Sequence, residues 1–530
     1  MNDIDRLPAQ DAARVDARTF YIGAALLATF LVFAVRLAFV SRIEFCGGAD
    51  ACFYVALAKE IAARHDFFVD FIWNYQVGHV QLPSMAMEYW RPGTSLLLDL
   101  ALPFGGVTLR SSAVIATIAT VLAALAAADF AWTMTRDRAI TLLGYLIALV
   151  LPTFWTLALS ADSAPFYGAA VAWFLALFTA RSDSRRRDVL AILCVGAAYL
   201  IRNDAIILAV PFAAVLAMRM SEQAARGTWR RELPYTIALA AGFVAALLPT
   251  HLLIYLTTGR FTNASIVNVL FFNDVANFWF YGSRADAATW LANGIRPLIE
   301  LRLHVLAEIL HHLLVRFGEP VTLMALIAIA FGATRRGRAE GGGSLLGPLA
   351  FLGSIVAFYA VAMPTIGDHA TARSYTGFLP VLAALAAVGI ARVAISRRAF
   401  IALAVGVVSF SALDGINGAR TLLNDYRQIL TEYRAEAQII AAAGGQAATA
   451  VAMVQNPAPF TTTTGIRSIP LVTNGLEATR QAVKDFGVTA IVTDKWSAPS
   501  DLARDLNALS TQEVPDTSEI VITLPPAAAR

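Results

Sequence analysis

Two cysteines flank one aspartate in the segment EFCGGADACFYVALAKEIAARH, where Cys46, Asp50 and Cys52 bracket a pair of glycines. A carboxylate in such a turn can cap the helix that follows, accepting the free N–H groups of its first turn, or it can face a cavity as a general base. Further charges sit beside apolar runs: Arg202 and Asp204 in AYLIRNDAII, Arg373 with Asp368 and His369 in GDHATAR, and Asp162 in SADSAP. A charge at membrane depth costs about 2.5–3.5 kcal/mol even on the lenient scale, so each needs a reason to be there. Arg202 can snorkel, pair with Asp204 or hold a phosphate in a bidentate grip, and Arg373 has the same choices. Asp162 can cap a helix or serve as an acid. His304, Glu308, His311 and His312 share one helical face, which invites a metal. They do not form HExxH, and a solvated polar face is the favoured reading.

These side chains must be positioned by membrane helices. Of 530 residues, 58% are hydrophobic and 15% charged, with a mean hydropathy of +0.61, which predicts a polytopic α-helical membrane protein. Apolar runs from about residue 19 to 417 give roughly eleven transmembrane helices. The first, TFYIGAALLATFLVFAVRLAFV, contains Arg36, has no small-x-small cleavage site behind it, and reads as a retained signal-anchor. Residues 1–18 read as a disordered cytoplasmic tail. Arginine-dense connections near residues 136–138, 181–187, 219–231, 335–338 and 396–398 mark the cytoplasmic side. Segments 41–110 and 259–317, the first and fourth outer loops, are then long, Asp50 lies outside, and Cys46 and Cys52 are in an oxidising compartment where they can form a disulfide, with two unpaired packed thiols as the alternative. DACFYVALAKEIAAR predicts an amphipathic helix along the membrane surface, and NVLFFNDVANFWFYGS an interfacial helix.

After about residue 418 hydropathy falls. ATAVAMVQNP, GLEATRQAVKDFG, VTAIVTD and EIVITLP read as strand, helix, strand and strand, so residues 418–530 form a small extracytoplasmic α/β domain. It contains neither GxGxxG nor GK[ST], so nucleotide binding has no support. The formal charge of +3 is spread over inner loops and carries no nucleic-acid signal. Lysine occurs only at positions 59, 484 and 495 against many arginines, a composition that fits a GC-rich bacterium and its inner membrane.

The order of features resembles the C superfamily of membrane glycosyltransferases, the group of protein O-mannosyltransferases, aminoarabinose transferases and bacterial galacturonosyl- and arabinosyltransferases. The matching stretches are the signal-anchor followed by Asp50, the helix with Tyr54, EYWRPGTSLLL, YLIRNDAIILAVPF, HATARSYTGFLPVLAALAAVGI, and the tail QNPAPFTTTTGIRSIPLV with FGVTAIVTD. The resemblance implies that Asp50 is the catalytic carboxylate. It implies a catalytic role for Glu88 as well, phosphate contacts from Arg91, Arg202 and Arg373, and a site lined by Tyr54, Asp162 and His369. Ala49 and Ala51 stand where many relatives carry a second acid, so a two-carboxylate metal site at that turn is in doubt, and a divalent metal stays open. The family acid-lysine-proline-proline segment is replaced by Glu88-Tyr89-Trp90-Arg91-Pro92-Gly93. The implied reaction moves a sugar from a polyprenyl-phosphate donor to a hydroxyl of a glycan, lipid or protein acceptor outside the cytoplasm, with inversion. A lipid-linked polysaccharide ligase or polymerase, a transporter or flippase, and a non-catalytic scaffold are the alternatives.

Overall fold

The computed structural model describes residues 7–77, 80–179, 184–263, 269, 271–272, 274–283, 287–292, 294–315, 319–333, 345–362, 373–443, 449–495, 499–515 and 517–525. It is a polytopic helical membrane protein with a small carboxy-terminal α/β sheet. Among the described residues, five helices are long and apolar enough to cross a bilayer: Thr19–Val40, Leu109–Thr135, Asn203–Ala225, Trp229–Thr258 and Arg397–Ala442. The first belongs to α1 (Leu7–Val40). A sixth span is a pair bent by 44°, α5 (Arg138–Val150) and α6 (Pro152–Leu159). Shorter apolar helices at Ser163–Thr179, Pro320–Phe331, Leu346–Val361 and Leu379–Val393 fill in between, so several of the expected spans are shorter than a bilayer-crossing helix.

The bend in the α5–α6 pair follows from sequence. Pro152 has no N–H to donate and forces Leu151 out of the helical region, to φ −53° and ψ 129°. Arg36 of α1 meets the consequence. It is buried, donates to the Leu149 carbonyl at 2.9 Å and to the Thr120 hydroxyl, and stacks 4.9 Å from the Trp155 ring. The charge within the first span is therefore held by polar atoms exposed at the break, which offsets part of its desolvation. Around it, α4 (Leu109–Thr135) buries a stripe of alanines, including Ala116, Ala123 and Ala127, which lets helices approach closely.

The helix α2 (Ala49–Arg64) differs from expectation. It does not lie half-exposed on the membrane surface: Asp50, Phe53 and Leu57 are all buried, and solvent is reached only near its end. The reason is cover from above. Strand β1 (Phe68–Val69) pairs antiparallel with β2 (Ser84–Met85) beside it, and helix Pro457–Thr464 of the carboxy-terminal region packs on it. The interfacial helix expected in the fourth loop is, over the described residues, a single 3₁₀ turn, Val275–Trp279, capped by Asp274. Its polar groups are used for docking. Thr473 N–H donates to the Trp279 carbonyl, Gln76 Nε2 donates to the Phe280 carbonyl, and Tyr75 N–H donates to the Phe278 carbonyl.

The carboxy-terminal sheet has five strands in the order β4-β3-β5-β7-β6. Strands β3 (Val451–Val454), β5 (Ala490–Asp494) and β7 (Glu519–Thr523), with helix Leu476–Phe486 between, match the expected segments. Two strands were not expected: β4 (Arg467–Pro470), which carries a proline at its end, and β6 (Ser510–Glu513), which is largely exposed. Both are short edge strands, where propensity signals are weakest. The β4 edge is covered by the first loop, since Phe71 bridges Ser468 and Ile72 N–H donates to the Ser468 carbonyl at 3.0 Å. The change of character expected near residue 418 is not a chain break. It falls inside one continuous helix, Arg397–Ala442, of 46 residues. Aromatic contacts link this helix to both sides, with Phe45 to Tyr433 at 6.1 Å and Tyr433 to Phe460 at 5.8 Å.

Candidate active site

The turn before α2 is built by glycine and by a covalent bridge. Gly47 has φ +107°, and a Cβ there would lie 2.7 Å from Ser160 Cβ and 2.8 Å from the Tyr426 hydroxyl, so the position takes no larger residue without rearrangement. Cys46 and Cys52 are joined in a disulfide across this turn, with Cα atoms 4.9 Å apart. Gly48 is the N-cap of α2, and no side chain caps it. Asp50 is therefore not the cap. It lies in the first turn, where the helix dipole favours a carboxylate, and its Oδ2 accepts from Arg373 Nη1.

Asp162 caps a helix and pairs with Arg373. The Leu159–Ser160–Ala161 corner ends α6, with Ala161 at φ +48°, and α7 (Ser163–Thr179) begins directly after Asp162. One oxygen, Oδ1, accepts from the Ala164 N–H and the Ser163 hydroxyl, both at 3.0 Å. The other, Oδ2, pairs with Arg373 Nε at 3.0 Å. Arg373 thus stands between two carboxylates drawn from distant parts of the chain. Burial works against its charge, but Asp162 and then Asp50 overcome that and raise its pKa above the ordinary arginine value. Tyr54, one helical turn beyond Asp50 and buried, has its hydroxyl pKa pushed well up by burial and then by Asp50.

A second network supports the first. α8 (Arg185–Ile201) ends at Arg202, whose backbone is extended, and a 3₁₀ turn Asn203–Leu208 leads into α9 (Ala209–Ala225). Arg202 makes a fork with Asp204, Nε to Oδ1 at 2.9 Å and Nη2 to Oδ2 at 3.1 Å, while Nη1 donates to Ser163 at 3.2 Å. Asp204 Oδ2 also accepts from the Tyr359 hydroxyl at 2.9 Å and from Ser374. Of the readings open to Arg202, the one present is the fork with Asp204. Its geometric effect is to fix Ser163 and Ser374, the immediate neighbours of Asp162 and Arg373.

No protein-family model matches the sequence, and no curated protein matches it significantly. Solved structures do. Over nearly its whole length the chain superposes on ArnT from Cupriavidus metallidurans in the apo state, with a TM-score of 0.60 at 12% identity, covering 96% of this chain and 98% of that one. It also superposes on ArnT from the same organism bound to undecaprenyl phosphate, with a TM-score of 0.56 at 13% identity, covering 95% and 98%. The chain has the ArnT fold. The resemblance to the C superfamily of membrane glycosyltransferases is thereby met at the level of fold.

Within the ArnT fold, Arg91 belongs to a third cluster. It is buried; its Nε donates to the Asn203 side-chain oxygen, its Nη2 donates to the Tyr199 hydroxyl at 3.0 Å, and its plane lies 4.7 Å from the Tyr199 ring. Tyr199 in turn meets His251 Nε2 at 3.0 Å, and His251 Nδ1 meets the Phe261 carbonyl at 2.6 Å. A tyrosine that donates to Nε2 leaves Nδ1 to carry the ring proton. Among the described residues, two donors here lack an acceptor, Arg91 Nη1 and Asn203 Nδ2. Burial pulls the Arg91 pKa down to about 10, which leaves it charged at neutral pH. Glu88 is buried at the end of the 3₁₀ turn Ala86–Glu88 that precedes this arginine.

His369, with Asp368, lies outside the described residues. His304 pairs with Glu308 at 3.1 Å, 69% and 42% exposed, which is a solvated face. Among the described residues no group of three or more His, Cys, Asp or Glu side chains could hold a metal. Sequence reasoning missed Tyr359, Ser374, Tyr199 and His251. Ser374 adjoins Arg373 and Tyr199 lies three residues before Arg202, so the surroundings of membrane-depth charges were the available signal; Tyr359 and His251 had none.

Proposed function

We propose that this chain is an integral membrane glycosyltransferase that moves a sugar from a polyprenyl-phosphate donor to an acceptor hydroxyl outside the cytoplasm. The observation that carries the reading is the arginine held between two buried carboxylates, Arg373 with Asp50 and Asp162, in a chain with the fold of a protein solved with undecaprenyl phosphate. In the proposed step the acceptor oxygen attacks the anomeric carbon and its proton passes to Asp50 as general base. The bond from that carbon to the phosphate oxygen breaks, and the polyprenyl phosphate leaves with the electron pair. Arg373 exchanges a carboxylate contact for the developing phosphate charge, and Arg91 offers its unpartnered Nη1 to the same anion. Asp162 keeps Arg373 in place. Attack opposite the leaving phosphate inverts the anomeric centre.

The location on the outer face of a bacterial inner membrane is part of the proposal. The first loop, the fourth loop and the carboxy-terminal sheet are hydrogen-bonded to one another, so they share one side of the membrane, and the Cys46–Cys52 disulfide favours an oxidising compartment there. The arginine-dense connections favour the opposite side as cytoplasmic.

The test is a transfer assay on purified protein in lipid nanodiscs with a panel of polyprenyl-phosphate-linked sugars, together with undecaprenyl phosphate binding read by native mass spectrometry. Release of polyprenyl phosphate that depends on an added hydroxyl acceptor is expected. Binding of neither the carrier nor any donor in the panel would sink the reading.

A further inference from the structure

At 1.5 Å per residue the ends of α8 are about 25 Å apart, close to the thickness of a bilayer core. Arg202 and the candidate active site lie at one end. At the other, α8, α9 and α10 (Trp229–Thr258) enclose a cavity of about 1020 Å³ that the proposed reaction does not use. Its floor is apolar, with Val215 and Leu239 buried, and its outer flank on α10 exposes Leu233 and Ile237. It therefore sits at headgroup depth beside a lipid-facing surface.

The charges of the cavity are unevenly satisfied. Arg219 Nη1 donates to both oxygens of Asp188 at 3.0 Å, Nη2 donates to the Phe178 carbonyl at 2.7 Å, and the Tyr235 hydroxyl donates to Asp188 at 2.9 Å, so that pair is closed. Arg185, Arg226 and Arg231 also line the cavity, and among the described residues none of them has a carboxylate partner. Arg185 lies over the Tyr235 ring at 4.9 Å. Opposed to these three guanidiniums are two acids, Glu222 and Glu232, and the side-chain oxygen of Gln223, which is buried and among the described residues has no donor. A plain anion would answer the arginines and leave the Gln223 oxygen unsatisfied. A ligand that carries both a phosphate and an N–H donor answers both.

We propose that this cavity binds a phosphoethanolamine headgroup of an inner-leaflet phospholipid, with the phosphate on Arg226 and Arg231 and the ammonium toward Gln223 and the flanking acids. The site is independent of the proposed glycosyl transfer and lies at the opposite membrane interface.

Native mass spectrometry of the full chain, released from micelles doped in turn with phosphatidylethanolamine, phosphatidylcholine or phosphatidylglycerol, tests it. Retention of phosphatidylethanolamine is expected to exceed that of the other two about tenfold, to fall by a similar factor in R226Q/R231Q, and to lose its margin over phosphatidylcholine in Gln223→Leu. Arg226 and Arg231 are exposed and without carboxylate partners, so R226Q/R231Q should keep its melting temperature. The lysine pair R226K/R231K should keep the lipid and serves if the glutamine pair does not fold. Equal retention of phosphatidylcholine overturns the ammonium contact, and preferential retention of phosphatidylglycerol makes the cavity a plain anion site. Loss of phosphatidylethanolamine to millimolar inorganic phosphate overturns a lipid as the occupant.

Discussion

Arg373 and Asp50 are 323 positions apart in sequence and in direct ion-pair contact. The contact ties a late membrane helix to the first loop, and it sets the resting state of the candidate site. Three carboxylates, Asp50, Asp162 and Asp204, face two guanidiniums, Arg202 and Arg373. An arginine shared by two acids can release one of them without being left bare, which suits the proposed turn of Arg373 toward a donor phosphate.

Asp50→Asn separates a base from a structural partner. Gly48, not Asp50, caps α2, and Asp162 remains to hold Arg373, so the variant is expected to fold with a melting temperature near that of the parent. Transfer should fall about a hundredfold or more. Turnover within a few-fold of the parent, in protein of normal melting temperature, would leave Asp50 as a tether for Arg373 and nothing more.

The Arg202–Asp204 fork is expected to behave as a positioning unit. Arg202→Met strands a buried carboxylate and Asp204→Leu strands a buried guanidinium, and each should cost about 3–5 kcal/mol. The double variant should recover a large part of that in melting temperature while transfer stays low, because Ser163 and Ser374 lose their anchor. A double variant that melts as low as the sum of the singles would refute a closed pair and restore Arg202 as a ligand-facing group.

Alkylation without prior reduction should leave Cys46 and Cys52 unmodified and label only Cys194, after unfolding. Serine at both positions should cost at most about 2 kcal/mol, since the closed loop is short. A loss of turnover larger than the loss of stability is expected, because the bridge spans the turn that aims Asp50. Recovery of all three cysteines as alkylated thiols from non-reduced protein contradicts the bridge.

Gly93→Ala should displace the Arg91 loop. A Cβ at this position would lie 2.5 Å from the Leu200 carbonyl oxygen and 2.8 Å from the Ile201 nitrogen, both backbone atoms at the end of α8. Overpacking of this kind costs about 1–3 kcal/mol. The donor KM should rise about tenfold with a smaller change in kcat, as Arg91 moves away from Tyr199 and Asn203. An unchanged KM would detach this loop from donor binding.

Much of the frame was legible in the sequence, because apolar run length is a strong signal. The strands β3, β5 and β7 announced themselves by apolar runs between turn residues. The pairing of Asp50 with Arg373 was not legible, since nothing local links positions so far apart. The cap reading of Asp50 was misplaced by two residues, as Gly48 can occupy an N-cap without a side-chain signal. The burial of α2 was hidden for another reason: its Glu60 and Arg64 suggested a wet face, but the covering helix Pro457–Thr464 lies some 400 positions away. The pairing of Arg202 with Asp204 was one of the readings of the sequence, whereas the contacts of Tyr359 and Ser374 with Asp204 join positions 155 and 170 residues away.

The unbroken helix from Arg397 to Ala442 fixes a phase as well as a connection. Each residue of an α-helix advances the chain by about 1.5 Å and turns it by about 100°. One residue added between Ser411 and Tyr426 would therefore swing the sheet through more than a quarter turn about the helix axis. Tyr433 would point away from Phe45, and helix Pro457–Thr464 would leave α2 and uncover the turn that carries Asp50. The lid over the site is thus indexed by residue count, and a deletion or insertion in this helix acts on the chemistry as a wrong gear setting acts on a clock, without touching a single group that takes part.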